Sequence, residues 1–132
     1  MVATIIIGHG SFGSSILDSA EMIIGKQQNI KAINFLKDDS LNDIDQRIQQ
    51  ALSQLDTDNG VIILTDLMGG TPFNRSMVKA AENSSIRVIA GVNMPLVIEL
   101  LNQRTSCIAL DTLVQDIIQS SREMIVFGNK LI

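Results

Sequence analysis

Apolar and polar positions along this chain switch repeatedly between the period of a strand and the period of a helix. Val2-Ala3-Thr4-Ile5-Ile6-Ile7 is a nearly unbroken apolar run, closed by Gly8-His9-Gly10, and predicts a strand buried on both faces. From Ser14 to Gly25, the residues Ile16, Leu17, Ala20, Ile23 and Ile24 recur at helical spacing, and Gly25 suits the stop. Ile30 to Leu36 interleaves apolar residues with Lys31 and Asn34 and predicts a second strand. Ser40 followed by Asp43 has the spacing of a capping box, and Leu41, Ile44, Ile48, Leu52 and Leu55 form an amphipathic stripe. Asp56 to Gly60 is a turn, and Val61 to Thr65 a third strand, apolar nearly throughout. After a glycine loop, Thr71 as cap and Pro72 at the first helical position predict a helix to Glu82. Ile86 to Ala90 predicts strand four, Pro95 to Asn102 a helix, Asp111 as cap a last helix to Ser121, and Met124 to Phe127 a short final strand.

This order, β-α-β-α-β-α-β-α-α-β, predicts a doubly wound α/β domain over residues 1–132. Its mostly parallel four-stranded sheet should run in the order 2-1-3-4, with helices on both faces and right-handed crossovers. The last strand should lie at an edge, in parallel or antiparallel sense. An exposed edge invites pairing with a second chain, so a homodimer is expected.

Composition narrows the class of protein. With 45% apolar and 18% charged residues the chain reads as an ordinary globular protein. Its net charge of −4 and scattered Lys and Arg lack the basic patch of a nucleic-acid binder, and the same acidic balance disfavours anionic membranes. The single cysteine, Cys107, permits no internal disulfide and fits a reducing compartment. There is no signal-peptide pattern and no apolar run near the ~20 residues a bilayer requires. A cytoplasmic location is the expectation.

Candidate chemistry centres on His9, the only histidine, set between two glycines where the first strand ends. Open α/β sheets bind ligands outside the carboxyl ends of their strands. Gly8-His9-Gly10-Ser11-Phe12-Gly13 also reads as G-x-G-x-x-G, with Asp38 and Asp39 near the place of a ribose-binding acid. A nucleotide-binding half-domain is therefore one alternative, although the second half of a dinucleotide fold is missing; the plainer reading is a tight turn. Ser11, His9 and Asp66 supply the residue types of a serine hydrolase, but no G-x-S-x-G elbow occurs. One His and one Cys fall short of a conventional zinc or iron site, so no metal and no cofactor are expected.

The loop Thr65-Asp66-Leu67-Met68-Gly69-Gly70-Thr71-Pro72-Phe73-Asn74 strengthens the case for His9. In the order 2-1-3-4 it adjoins the first loop, so Asp66 can approach His9. A carboxylate on one ring nitrogen fixes the tautomer and frees the other nitrogen as a nucleophile. Gly69, Gly70 and Thr71 lead into a helix N-terminus, a ready site for phosphoryl oxygens, with Ser11 as a further candidate. The plainer reading makes Asp66 a turn cap and the glycines a bend. Met68 and Phe12 are candidates for partner docking. Met22, Met77, Met94 and Met124 are expected as filler in or around the core, Cys107 as an inert small residue, and Arg75 as a solvated cation.

Together the two loops, Ala20-Glu21-Met22 with Gly25, and Ile89-Ala90-Gly91-Val92-Asn93-Met94-Pro95-Leu96 resemble the IIA domain of the mannose-family sugar phosphotransferase system (PTS). The resemblance spans essentially the whole chain. It implies a cytoplasmic phosphocarrier whose histidine takes a phosphoryl group from phospho-HPr and passes it to a IIB component, which serves the membrane subunits IIC and IID. His9 matches the phosphorylated histidine, Asp66 the aspartate bonded to its ring, and Thr71 a small hydroxyl residue beside the phosphoryl group. The family's dimers exchange a C-terminal strand. Leu67-Met68 departs from members with an aromatic there, and the IIB partner is expected on a separate polypeptide. Two variants of the reading remain: a IIA-like regulatory module, and a carrier feeding dihydroxyacetone kinase, whose second loop is expected to differ.

Overall fold

A computed structural model describes residues 1–132. The chain runs β1 (Ala3–His9), α1 (Phe12–Ile24), β2 (Ile30–Phe35), α2 (Leu41–Gln54), β3 (Val61–Thr65), α3 (Thr71–Glu82), β4 (Ile86–Ile89), α4 (Met94–Gln103) and α5 (Leu110–Arg122), ending in a 3₁₀ turn at Gly128–Leu131. The four strands form one parallel sheet in the order β2-β1-β3-β4. Strand order and parallel sense are those expected from the alternating pattern.

Period-two alternation divides the core between the sheet's faces. Ile6, Ile62 and Leu64 point to one face and pack with residues of α1, α4 and α5, including Ala20, Val97, Leu100, Leu113 and Ile117. Ile5, Ile7, Val61 and Ile63 point to the other and meet Ile44, Ile48 and Ala51 of α2. Because β1 and β3 are central, both of their faces are covered, which explains their continuous apolar runs. Helix α2 starts as expected: Ser40 accepts from the Asp43 backbone N–H while the Asp43 carboxylate accepts from Ser40 N–H.

Helix α1 approaches the sheet unusually closely. A Cβ on Gly13 would stand 2.7 Å from the Ile33 carbonyl oxygen and 2.8 Å from that of Ile6, so the last glycine of G-x-G-x-x-G is needed for helix–sheet contact. Asp39, beside the place of the ribose-binding acid, is taken up by Arg47 and by the Leu36 backbone N–H. The turn and helix contact thus account for these residues without a nucleotide.

Several local expectations change. Gly70 rather than Thr71 is the cap of α3, and Thr71 is its first residue. Asn93 caps α4, its side chain accepting from the Leu96 N–H. Ala109 precedes α5, which leaves Asp111 in the first turn paired with Arg87. Met22 is 89% exposed and Met124 60%, so neither fills the core, whereas Met94 packs against it. Met124 to Phe127 forms no strand. The segment follows α5 without ladder bonds to β4, and Ile125, Val126 and Phe127 stay exposed. An apolar, β-branched run has strand propensity, but only a neighbouring strand satisfies its backbone, and this chain places none beside it.

At the amino ends of the strands, Arg104 is buried at 2% exposure. Its guanidinium donates to the carbonyls of Val2, Gln28 and Asn29, to Thr4 Oγ1 and to Gln27 Oε1. The groups that receive it are carbonyls and a hydroxyl rather than a carboxylate, and burial pushes its pKa down from the ordinary arginine value. Arg104 thereby ties the chain's start to the loop before β2.

Candidate functional site

His9 closes β1 at the carboxyl edge of the sheet, in register with Phe35 at the end of β2. Strand β3 lies on the other side of β1, with Thr65 opposite Ile7. One residue beyond β3, Asp66 reaches across the switch between these neighbours. Its Oδ2 accepts both the His9 backbone N–H at 2.9 Å and the ring Nδ1 at 2.7 Å. The contact joins residues 57 apart in sequence, and it follows from strand order alone.

This bond sets the chemistry of the ring. An ionised carboxylate only accepts hydrogen bonds, so Nδ1 carries a proton, and in the neutral ring Nε2 holds the lone pair. Burial alone would raise the Asp66 carboxyl. The backbone and ring N–H groups of His9, with the Leu67 N–H on the other oxygen, outweigh burial and hold it below the ordinary carboxylate value. The Asp66 side chain is 13% exposed and that of His9 48%. An anchored carboxylate thus supports a half-exposed ring.

Two further groups frame the imidazole. The Phe35 ring lies edge-to-face with it, centroids 5.7 Å apart and planes at 70°. On another side stands Gly70, where a Cβ would come within 2.8 Å of His9 Cε1 and 3.5 Å of Nε2. Neither role was visible in the sequence. For Phe35 the signal was its register opposite His9, which requires knowing that β1 and β2 pair.

The start of α3 lies beside the ring with its amides unspent. Gly70 caps the helix by backbone conformation only, and no side chain caps it. The N–H groups of Gly69, Thr71 and Phe73 donate to no protein group, and that of Gly70 makes only a loose turn contact with the Leu67 carbonyl. By contrast, at the start of α1 the Ser14 N–H is already bound to Asn34 Oδ1. Gly69 takes φ +87°, a left-handed conformation that bends the loop toward His9.

The remaining candidates are placed as follows. Ser11 is exposed at the start of α1, and its hydroxyl makes no hydrogen bond. Met68 is 78% exposed and Leu67 51%, both beside the site. Phe12 turns inward, packing against the core and against Gly8, so its ring is committed to packing rather than offered to a partner. Arg75 is paired with Asp45 through two bonds of 2.7 Å and is not the solvated cation expected. Cys107 is exposed. No group of His, Cys, Asp and Glu side chains is arranged to hold a metal ion. None of the surface clefts is lined by His9, so the imidazole stands on open surface.

A histidine bonded through Nδ1 beside a helix start that no side chain caps is an arrangement able to accept a phosphoryl group in an α/β protein. Comparison with known proteins agrees. Residues 3–118 match the family model described as "PTS system fructose IIA component", and the chain belongs to the mannose-family IIA components of the PTS. It is 35% identical over 104 residues to the fructose-specific EIIA component of Bacillus subtilis (strain 168), covering 79% of this chain and 71% of that one. It is also 35% identical over 124 residues to the mannose-specific EIIAB component of Escherichia coli (strain K12), covering 93% of this chain and 38% of the longer relative. The crystal structure of a phosphotransferase system component EIIA from Streptococcus agalactiae superposes with a TM-score of 0.90 at 36% identity, covering 98% of this chain and 99% of that one. As a member of this family the chain is a phosphocarrier of the sugar phosphotransferase system.

Proposed function

We propose that His9 takes a phosphoryl group from phospho-HPr and hands it to a IIB component for sugar uptake and phosphorylation by the membrane subunits. The observation that carries this reading is the His9–Asp66 pair, which occupies Nδ1 and so makes Nε2 the nitrogen available to a phosphoryl group on a half-exposed ring. In the transfer, the Nε2 lone pair forms the bond to phosphorus as the bond from phosphorus to the donor atom breaks, its electron pair leaving with the donor. The Nδ1 proton stays between ring and carboxylate, where Asp66 offsets the positive charge that builds on the imidazole. Phosphoryl transfer depends mainly on positioning and charge stabilisation. The amides of Gly69, Gly70 and Thr71 are the proposed cradle for the phosphoryl oxygens, with the hydroxyls of Thr71 and Ser11 nearby.

An exposed nucleophile outside any cleft suits a protein partner better than a small substrate. Met68, with Leu67, is the proposed docking contact, and donor and acceptor would share this face in turn. We further propose a cytoplasmic, homodimeric IIA domain in which the exposed apolar segment Ile125–Phe127 is covered by a second copy. No helix is long and apolar enough to cross a membrane.

The test is phosphorylation by phosphoenolpyruvate, enzyme I and HPr. Wild type should take up acid-labile, base-stable label, and His9→Ala none while keeping its fold. Label on His9→Ala would refute the assignment. Sedimentation of the chain with and without residues 124–132 tests the dimer; an unchanged oligomeric state would remove the segment from the interface.

A further inference from the structure

The side chain of Asn74, one turn into α3, reaches back to the loop in front of its own helix. Its Nδ2 donates to the Gly69 carbonyl at 3.1 Å, while its backbone N–H donates to the Gly70 carbonyl at 2.9 Å. The peptide between Gly69 and Gly70 is trans. In a trans peptide the C=O and the following N–H point in opposite directions. Holding the Gly69 oxygen toward Asn74 therefore turns the Gly70 N–H away from Asn74. Gly70 is also the residue on which a Cβ would meet the Cε1–Nε2 side of the His9 ring, and its N–H makes only a loose turn contact with the Leu67 carbonyl, outside full hydrogen-bond geometry.

We propose that Asn74 is a positioning residue that fixes the Gly69–Gly70 peptide so that the Gly70 N–H receives a phosphoryl oxygen on His9 Nε2. The inference rests on the phosphocarrier reading above, with His9 as nucleophile. A peptide flanked by two glycines has no Cβ on either side to hinder its rotation. Flipped, it would present the Gly69 carbonyl, a partial negative charge, to an incoming anion. Asn74 holds the productive orientation before the phosphoryl group arrives, and a donor set in place in advance is worth most where charge gathers in the transition state. A planar amide suits the task because it donates through nitrogen without adding charge.

The experiment compares wild type with Asn74→Ala and Asn74→Asp. Aspartate keeps the shape and adds an acid to the first turn of α3, which favours the helix, but it cannot donate and repels the Gly69 oxygen. Wild type must first accept phosphate from phospho-HPr; if it does not, the carrier reading falls and the role of Asn74 falls with it. Given an active wild type, both variants should keep their melting temperature and their KM for phospho-HPr while the transfer rate drops about tenfold or more. The Gly70 amide resonance should shift markedly on phosphorylation in wild type and much less in the variants. Wild-type rates in both variants would overturn the role of Asn74 and leave the carrier reading intact. A slow variant with the full Gly70 shift would overturn it as well, because the donor would then be in place without Asn74.

Discussion

Replacing Gly70 by alanine should separate the site's chemistry from the stability of the fold. Gly70 has φ −77° and ψ 167°, an ordinary extended conformation open to alanine. No backbone strain is expected, and the stiffer unfolded chain adds about 0.4–1 kcal/mol of stability. The added Cβ, however, would lie 2.8 Å from His9 Cε1, where carbon atoms prefer about 3.5–4.0 Å. Relief by ring movement requires a retreat of about 0.7–1.2 Å. The Asp66 bond starts at 2.7 Å and leaves the normal range by about 3.2 Å, so a retreat of that size breaks or badly bends it. Misplacing a reacting group by about 1 Å costs on the order of 100-fold in rate, or about 2.7 kcal/mol of activation free energy. Rapid-quench transfer from labelled phospho-HPr, with a thermal melt of the same sample, measures both effects. Gly69→Ala is the control: at φ +87° with nothing within 4 Å of a Cβ, it should lower the melting temperature through backbone strain of about 1–2 kcal/mol. If Gly70→Ala transfers phosphate at the wild-type rate, the ring does not need its present position.

Three further outcomes are expected. Asp66→Ala should slow transfer by about 100-fold or more, because the tautomer is no longer fixed; equal rates in a single-turnover assay would remove its role. Arg104→Ala should cost about 2–4 kcal/mol in urea unfolding, since buried carbonyls lose their donor, while the transfer rate stays unchanged. The Asp66 carboxyl titrates lower when folded than when unfolded. Its contribution to stability is therefore complete above about pH 4, the unfolded value, and is lost as the pH falls through the lower folded value. Urea midpoints taken from pH 7 down to pH 2.5 should fall at the acid end, and less so in Asp66→Ala; identical pH profiles would contradict the shift.

The parts of this protein readable from its sequence are those in which one residue type can serve only one end. Ile5, Ile6 and Ile7 in a row demand cover on both faces, and that places β1 inside the sheet. Ser40 and Asp43 announce a helix start at fixed spacing. Asp66 could be paired with His9 because the strand order makes their loops neighbours. Contacts set by conformation or by distant packing were not readable. Gly70 is a cap by its backbone angles, whereas side-chain chemistry alone favours Thr71. Arg104 resembles any arginine near a helix end until the loops around it are folded. The run from Met124 to Phe127 carries strand propensity, yet a strand also requires a partner, which local sequence does not contain. Met22 follows a helical stripe but falls on its outer side.

Arg104 and His9 sit at opposite poles of the same strands, roughly 15–20 Å apart for strands of five to seven residues. Substitutions at such separation, with no shared neighbours, combine additively. The loops around His9 can therefore drift toward a new partner protein while the fold's tolerance for that drift is held in reserve at the far pole. Epistasis should be strong within each pole and weak between them, so a double-mutant survey of this chain should resolve into two nearly independent blocks.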